Sequence, residues 1–294
     1  MKTAEIIRLT KEFGKKKALN NISVQFDESS VIGLIGLNGS GKTTLLRHLT
    51  GVILPTSGQV LTYGKSTELL GSSEFNRIGV VHQENRFLEW MTVEQQIRYI
   101  SGYYEKWDPS LEYKLVQDFK IDLKARVGTL SPGNVQKLAV LLAVCHQPEF
   151  LLLDEPASAM DPISRKKFLE MLFNLLENQF KTVIISSHVL TDIEKIVNHI
   201  ICLDEGSIVA DCPLDELYER FEEWVITSTE GRLPEQFLYS GIVDQEGDKY
   251  QKRLRFDLKK GQGIGRLSEQ GFGMKREALN LEKIFPLLIG ENES

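Results

Sequence analysis

The chain has 294 residues, enough for one large domain and a small appendage, and its 41% hydrophobic and 26% charged content is that of a soluble globular protein. A net charge of −6, with a pI near 5.6, provides no global basic field to draw in nucleic acid. Cys145, Cys202 and Cys212 show no C-x-x-C spacing, which argues against a disulfide scaffold and for reduced thiols in a cytosolic protein.

The N-terminus, Met1-Lys2-Thr3-Ala4-Glu5, has no apolar leader segment. The longest apolar run, Leu138 to Cys145, is far shorter than the roughly 20 residues that span a bilayer. Any service to a membrane would be peripheral.

In chain order, Ile22, Val24 and Phe26 alternate with polar residues and predict a half-buried strand. Val31 to Ile35 is continuously apolar and rich in β-branched side chains, which predicts a fully buried strand ending at Gly36. A helix is expected from Lys42 to about Thr50, stopped by Gly51. Ile78–Val81, Phe150–Leu153 and Thr182–Ile185 read as further buried strands separated by helical patterns. That alternation predicts a parallel sheet with helices on both faces.

A longer helical insertion falls roughly between Trp90 and Leu123. Its aromatics, Trp90, Tyr99, Tyr103, Tyr104 and Trp107, are expected on helix faces, packed into a core. Composition changes near Cys212-Pro213. Beyond that point the pattern predicts a short helix over 215–221, a strand over 224–227 and a hairpin within 241–256 turning at 245–248. Glycines at 261, 263, 265, 271 and 273 interrupt the next stretch, and Leu281 to Leu288 reads as a closing helix.

Two segments carry chemistry. Gly36-Leu37-Asn38-Gly39-Ser40-Gly41-Lys42-Thr43 fits G-x-x-x-x-G-K-[ST] and lies between a buried strand and a helix. Glycines there permit positive φ, so backbone N–H groups can converge on phosphate oxygens, and the helix adds its N-terminal dipole. Lys42 can reach the β- and γ-phosphates of a nucleotide, the Thr43 hydroxyl can ligate Mg²⁺, and Thr44 follows in the same first turn.

The apolar strand ending at Leu153 delivers Asp154-Glu155 to its C-terminal edge, where ligands of open α/β sheets bind. Asp154 can hold the metal and Glu155 can orient and deprotonate a water. Adjacent carboxylates beside a polyphosphate repel it unless a cation intervenes, so Mg²⁺ is implied together with ATP.

The segments around this pair resemble those of ABC ATPases. Leu130-Ser131-Pro132-Gly133-Asn134 is similar to the family's signature sequence, Gln83 to its Q-loop glutamine, Ser158-Ala159-Met160-Asp161 to its D-loop, and His188 to its switch histidine. Phe13 falls where the family stacks an aromatic on adenine.

The resemblance implies an α/β P-loop NTPase fold of the ABC type over residues 1–212. Its sheet is mainly parallel, with an antiparallel N-terminal part and a helical insertion at about 84–145. A small α+β extension is expected over 213–294. It also implies a head-to-tail dimer, expected to be a homodimer, that binds two MgATP. In it Lys42, Thr43, Gln83, Asp154, Glu155 and His188 of one subunit face Ser131 and Gly133 of the other. Asp161 belongs to the same nucleotide-contacting set, and Gln83 joins Thr43 and Asp154 on the metal. Catalysis is expected from Glu155 as base, with His188 and Lys42.

Pro132 and Asn134 depart from the usual signature. Proline lacks an N–H for phosphate, yet with Ser131 as N-cap it sits at the first helical position, where it is tolerated. The resemblance further implies a separate integral membrane partner and a peripheral location on the inner face of the cell membrane; Phe87, Leu88 and Trp90 are expected either to line the partner's docking groove or to pack internally. Trp107-Asp108-Pro109 and Leu281 to Phe285 look similar to the exporter branch. A nucleic-acid- or ribosome-associated ABC ATPase and a weakly hydrolysing regulator are the alternatives; no nucleic-acid partner is expected.

Overall fold

The computed structural model describes residues 2–176, 182–228, 231–261 and 272–290. The chain divides into two compact units, Met1–Asp211 and Cys212–Ser294.

In the first unit, β1 (Lys2–Phe13), β2 (Lys16–Asp27), β4 (Ser57–Thr62) and β5 (Lys65–Ser66) form an antiparallel sheet in the order β2-β1-β4-β5. A second sheet runs β10-β9-β3-β8-β7-β6, from β10 (Ser207–Pro213), β9 (His199–Asp204), β3 (Ser30–Ile35), β8 (Thr182–Ser186), β7 (Phe150–Asp154) and β6 (Ile78–Val81). The pairs β6·β7, β7·β8, β8·β3 and β3·β9 are parallel. Every residue of β7 and β8 is buried, which is why both read as unbroken apolar runs.

Helix α1 (Lys42–Leu49) follows β3, and α2 (Ser72–Phe75) precedes β6. Between β6 and β7 lie α3 (Val93–Ser101), α4 (Pro109–Phe119) and α5 (Pro132–Val144). The last two start on N-caps: Asp108 Oδ1 accepts from the amides of Ser110 and Leu111, and Ser131 Oγ accepts from that of Asn134. Each has proline at the first helical position, where no N–H is missed. Helix α6 (Pro162–Leu176) leads from β7 towards β8, and α7 (Leu190–Ile193) follows β8. One core unites both sheets: Leu9, Ile22 and Phe26 pack with Leu45, Leu49, Leu34 and Leu152.

The insertion's aromatics differ from expectation. Trp90, Tyr99 and Tyr103 are 67%, 44% and 67% exposed. Helix α3 buries Val93, Gln96 and Ile97, a face that Tyr99 lies off, while Trp90 precedes the helix and Tyr103 follows it. Tyr104 does pack, stacked on the buried His146 with centroids 3.8 Å apart, and half-buried Trp107 donates its indole N–H to Glu112.

The second unit contains α8 (Leu214–Arg220), a sheet in the order β12-β13-β11-β14, and α9 (Leu281–Ile289). Its strands are β11 (Phe221–Thr227), β12 (Ile242–Gly247), β13 (Gln251–Asp257) and β14 (Gly273–Glu277), all paired antiparallel. Ile226, Leu233, Phe237, Leu254 and Phe256 form its core. Two fully buried acids are charge-paired: Asp257 with Arg220, and Glu223 with Arg255 and Lys283. The glycines at 263, 265 and 271 lie outside the described residues.

Candidate functional site

The strand order places the candidate residues. Neighbouring strands β3, β8, β7 and β6 end, respectively, in the 36–43 turn, His188, the acidic pair and Gln83. Four segments far apart in sequence therefore meet along one edge of the sheet, where ligands of such sheets bind.

The glycine-rich turn is shaped by close approach. A Cβ on Gly36 would lie 2.3 Å from the Leu203 carbonyl oxygen, and one on Gly41, whose φ is 113°, would lie 2.7 Å from that of Ala18. Both positions demand glycine. Gly41 caps α1, whose first amides have no intrahelical acceptor and so offer an anion site.

Lys42 is buried, and its Nζ donates to the carbonyls of Gly36 (2.8 Å) and Leu37 (3.1 Å). Burial lowers its pKa below the usual lysine range, while the Glu155 and Asp154 carboxylates partly restore it. A desolvated ammonium facing two carboxylates suits a phosphate that would arrive with a cation.

One cleft is lined by Asn38, Gly39, Gly41, Lys42, Thr43 and Thr44 of the turn and helix, together with Phe13, Gln83 and Glu155. Lys16 and Ala18 line it as well, which the sequence motifs did not indicate. The signal was available: β1 and β2 form a hairpin in which Phe13 pairs with Lys16, so following the aromatic around the turn leads to both residues. Lys11 Nζ lies 5.1 Å from the centre of the Phe13 ring.

Gly36, Leu37 and Ser40 are absent from the lining. Leu37 is exposed, whereas the Ser40 side chain is buried beneath the turn.

The acidic pair is almost wholly buried, Asp154 at 4% and Glu155 at 6% exposure. Ser186 Oγ donates to Asp154 Oδ1 (2.8 Å) and accepts from the Glu155 amide (2.9 Å). Glu155 adopts φ 49°, the left-handed region that non-glycine residues avoid. From there its Oε2 lies 2.7 Å from His188 Nδ1. With the carboxylate accepting, Nδ1 carries the proton and Nε2 is left for another partner.

Metal fit can be judged from the donors. Asp154 Oδ2 takes no hydrogen bond among the described residues, and the remaining candidates, the Thr43 hydroxyl and the Gln83 amide, are oxygen donors. One carboxylate with neutral oxygens suits Mg²⁺, which takes most of its other ligands from phosphates and water. No group of three or more His, Cys, Asp or Glu among the described residues could hold a metal.

Ser131, Gly133, Asp154, Asp161 and His188 do not line the cleft; His188 lines an adjoining pocket that shares Glu155 with it. Ser131 caps α5, and Gly133 lies close to Met160 and Ala159. Asp161 Oδ1 accepts from the amides of Ile163 and Ser164 at the start of α6, and hydrogen bonds from Ser164 hold its carboxyl below the usual range.

A buried amide ties α5 to the Gln83 turn. Gln136 Nε2 donates to the Gln83 carbonyl (3.1 Å), and its Oε1 accepts from Asn85 Nδ2 (2.7 Å). Asn85 Nδ2 also donates to the His82 carbonyl.

The ABC transporter family model matches residues 19–158. The bacitracin transport ATP-binding protein BcrA of Bacillus licheniformis is 32% identical over 254 residues, covering 85% of this chain and 81% of that protein. The Enterococcus faecalis protein of the same name is 27% identical over 297 residues, covering 97% and 96%. Among solved structures, a dimeric post-hydrolysis state of the ATP-binding cassette MJ0796 bound to ADP and Pi has the same fold, with a TM-score of 0.61 at 22% identity over 72% of this chain and 98% of that one.

Proposed function

The chain belongs to the ABC transporter family as an ATP-binding subunit that hydrolyses ATP, and on that premise we propose that it works as a head-to-tail dimer on MgATP to drive a separate membrane-spanning exporter subunit. The observation that carries the reading is the buried Glu155, hydrogen-bonded to His188 and lining the same cleft as Lys42.

In this mechanism the 36–43 turn holds the phosphates through its amides and Lys42, while Phe13 stacks on the base. Thr43, Asp154 and Gln83 would hold the magnesium ion, which when bound neutralises charge developing on the phosphates. Glu155 accepts the proton of the attacking water. His188 orients the Glu155 carboxylate through Nδ1–H and offers Nε2 to the water or the γ-phosphate.

Ser131 and Gly133 of a second copy complete the site. Ser131 Oγ already accepts from the Asn134 amide and keeps its own proton for a phosphate oxygen. Pro132 has no amide to offer, so the trans contact has one donor fewer. Asp161, at the start of α6, contacts the partner's nucleotide region.

We read the surface beside Phe87 as the docking face for the membrane subunit. That side chain lines a groove with Phe75, Arg86 and Tyr104, while Leu88 and Trp90 are exposed nearby. No helix among the described residues is long and apolar enough to cross a membrane. Export is favoured by the similarity to proteins whose names describe bacitracin transport. Residues 213–294 are read as a distinct extension of the ATPase domain.

The test is Glu155→Gln. Steady-state hydrolysis should fall at least about a hundredfold, with ATP still bound and dimers accumulating in sedimentation velocity. A variant that hydrolyses ATP at the wild-type rate would overturn the mechanism.

A further inference from the structure

We propose that Ser186 is a positioning residue that sets both carboxylates of the acidic pair at once, so that magnesium binding and water activation depend on one hydroxyl. The inference rests on the roles given above to Asp154 and Glu155.

Strands β7 and β8 are parallel, with Asp154 paired to Ser186 in the register. Ser186 is fully buried, so water cannot substitute for its contacts. Its hydrogen bonds admit a single arrangement. The Glu155 amide can only donate, so the serine oxygen accepts from it at 2.9 Å. An ionised carboxylate can only accept, so the one hydroxyl proton goes to Asp154 Oδ1 at 2.8 Å.

The two bonds have different consequences. The first anchors the Glu155 backbone in its left-handed conformation, φ 49°, from which the side chain reaches His188. A residue held there needs its surroundings to over-determine it. The second bond fixes the plane of the Asp154 carboxylate and occupies Oδ1, presenting Oδ2 to a cation. Alanine at 186 would leave a buried amide without an acceptor and a metal-binding carboxylate free to rotate. Groups placed behind a metal ligand in this way typically change metal affinity or activity by about 10–100-fold when removed.

The experiment compares the full-length wild type with Ser186→Ala, Ser186→Thr and Glu155→Gln. It measures kcat and KM for MgATP, Mn²⁺ affinity by EPR with a non-hydrolysable ATP analogue bound, and nucleotide affinity in EDTA. Ser186→Ala should lower kcat and weaken Mn²⁺ binding, each by about tenfold or more. Metal-free nucleotide affinity should stay within about twofold of wild type, because the contacts of the 36–43 turn are untouched. Ser186→Thr keeps the hydroxyl on a strand that accommodates β-branched residues, and it should restore both properties.

Should Ser186→Ala fail to fold, Ser186→Cys replaces it, similar in size but a weak hydrogen-bonding group, with the same direction of change expected. Wild-type kcat and Mn²⁺ affinity in Ser186→Ala, beside an inactive Glu155→Gln, would overturn this proposal alone. A fully active Glu155→Gln would instead overturn the reading beneath it. A lower melting temperature in Ser186→Ala with kcat and Mn²⁺ affinity unchanged would reduce Ser186 to a structural residue.

Discussion

Replacing Gln136 with leucine tests whether the Gln83 turn is physically tied to the helix that Ser131 caps. Gln136 is 2% exposed, and leucine would retain most of its packing while deleting its amide. The Gln83 carbonyl would lose its bond from Nε2, and Asn85 Nδ2 would lose the acceptor Oε1 while keeping the His82 carbonyl. One part-buried carbonyl and half the bonding of a side-chain amide are left unsatisfied, a cost of about 1–3 kcal/mol.

At about 2–4 °C per kcal/mol for a domain of this size, the melting temperature of the first unit should fall by about 2–12 °C. Differential scanning calorimetry of Gln136→Leu, Asn85→Ala and the double variant measures the effect. The two changes should be sub-additive by about 0.5 kcal/mol or more, because they break a shared bond. A Gln136→Leu protein that melts with the wild type, or single changes that simply add, would refute the tie between α5 and the Gln83 turn.

Further outcomes follow from the charges. Burial holds Lys42 below the usual lysine range, whereas bound phosphate favours its ammonium form, so binding takes up a proton once the free site has lost one. Metal-free ATP affinity should therefore be flat at lower pH and then fall by up to about tenfold per pH unit, starting below the ordinary lysine value of about 10.4. Titrations from about pH 7 to 10.5 that show no fall would contradict this. In the second unit, Arg220→Met takes from the fully buried Asp257 carboxylate its two guanidinium hydrogen bonds, at a cost of about 1.5–3 kcal/mol or more. Limited proteolysis beyond residue 212 should then accelerate sharply, and a second change, Asp257→Leu, should recover much of the resistance. An unchanged cleavage rate would show that the pair does not hold that unit together.

What could be read from the sequence follows from where the information is local. The strands β3, β6, β7 and β8 are buried on both faces and announce themselves as apolar runs. The 36–43 turn is likewise contiguous, and Gly36 and Gly41 are dictated by contacts that any Cβ would violate.

Strand β1 escaped because a register shift between Ile6 and Leu9, with Arg8 at φ 47°, breaks its alternation. Strand β14, Gly-Met-Lys-Arg-Glu, has a single large apolar residue to betray it. The aromatics of the insertion depart from the expected packing because the buried face of α3 is Val93, Gln96 and Ile97, which leaves Tyr99 out. Ser186 and Gln136 could not be found by motif alone, since their partners lie 32 and 53 residues away and meet them only through strand register and helix packing.

In the proposed mechanism the turn at 36–43 grips the triphosphate through the Lys42 ammonium and its amides. Equilibrium binding of ATP to wild type and Lys42→Ala, read by fluorescence with melting temperatures matched, tests it most directly. Affinity should fall at least about tenfold, the loss of one charge-assisted contact of about 1.5–3 kcal/mol. Equal affinity in the two proteins would contradict it.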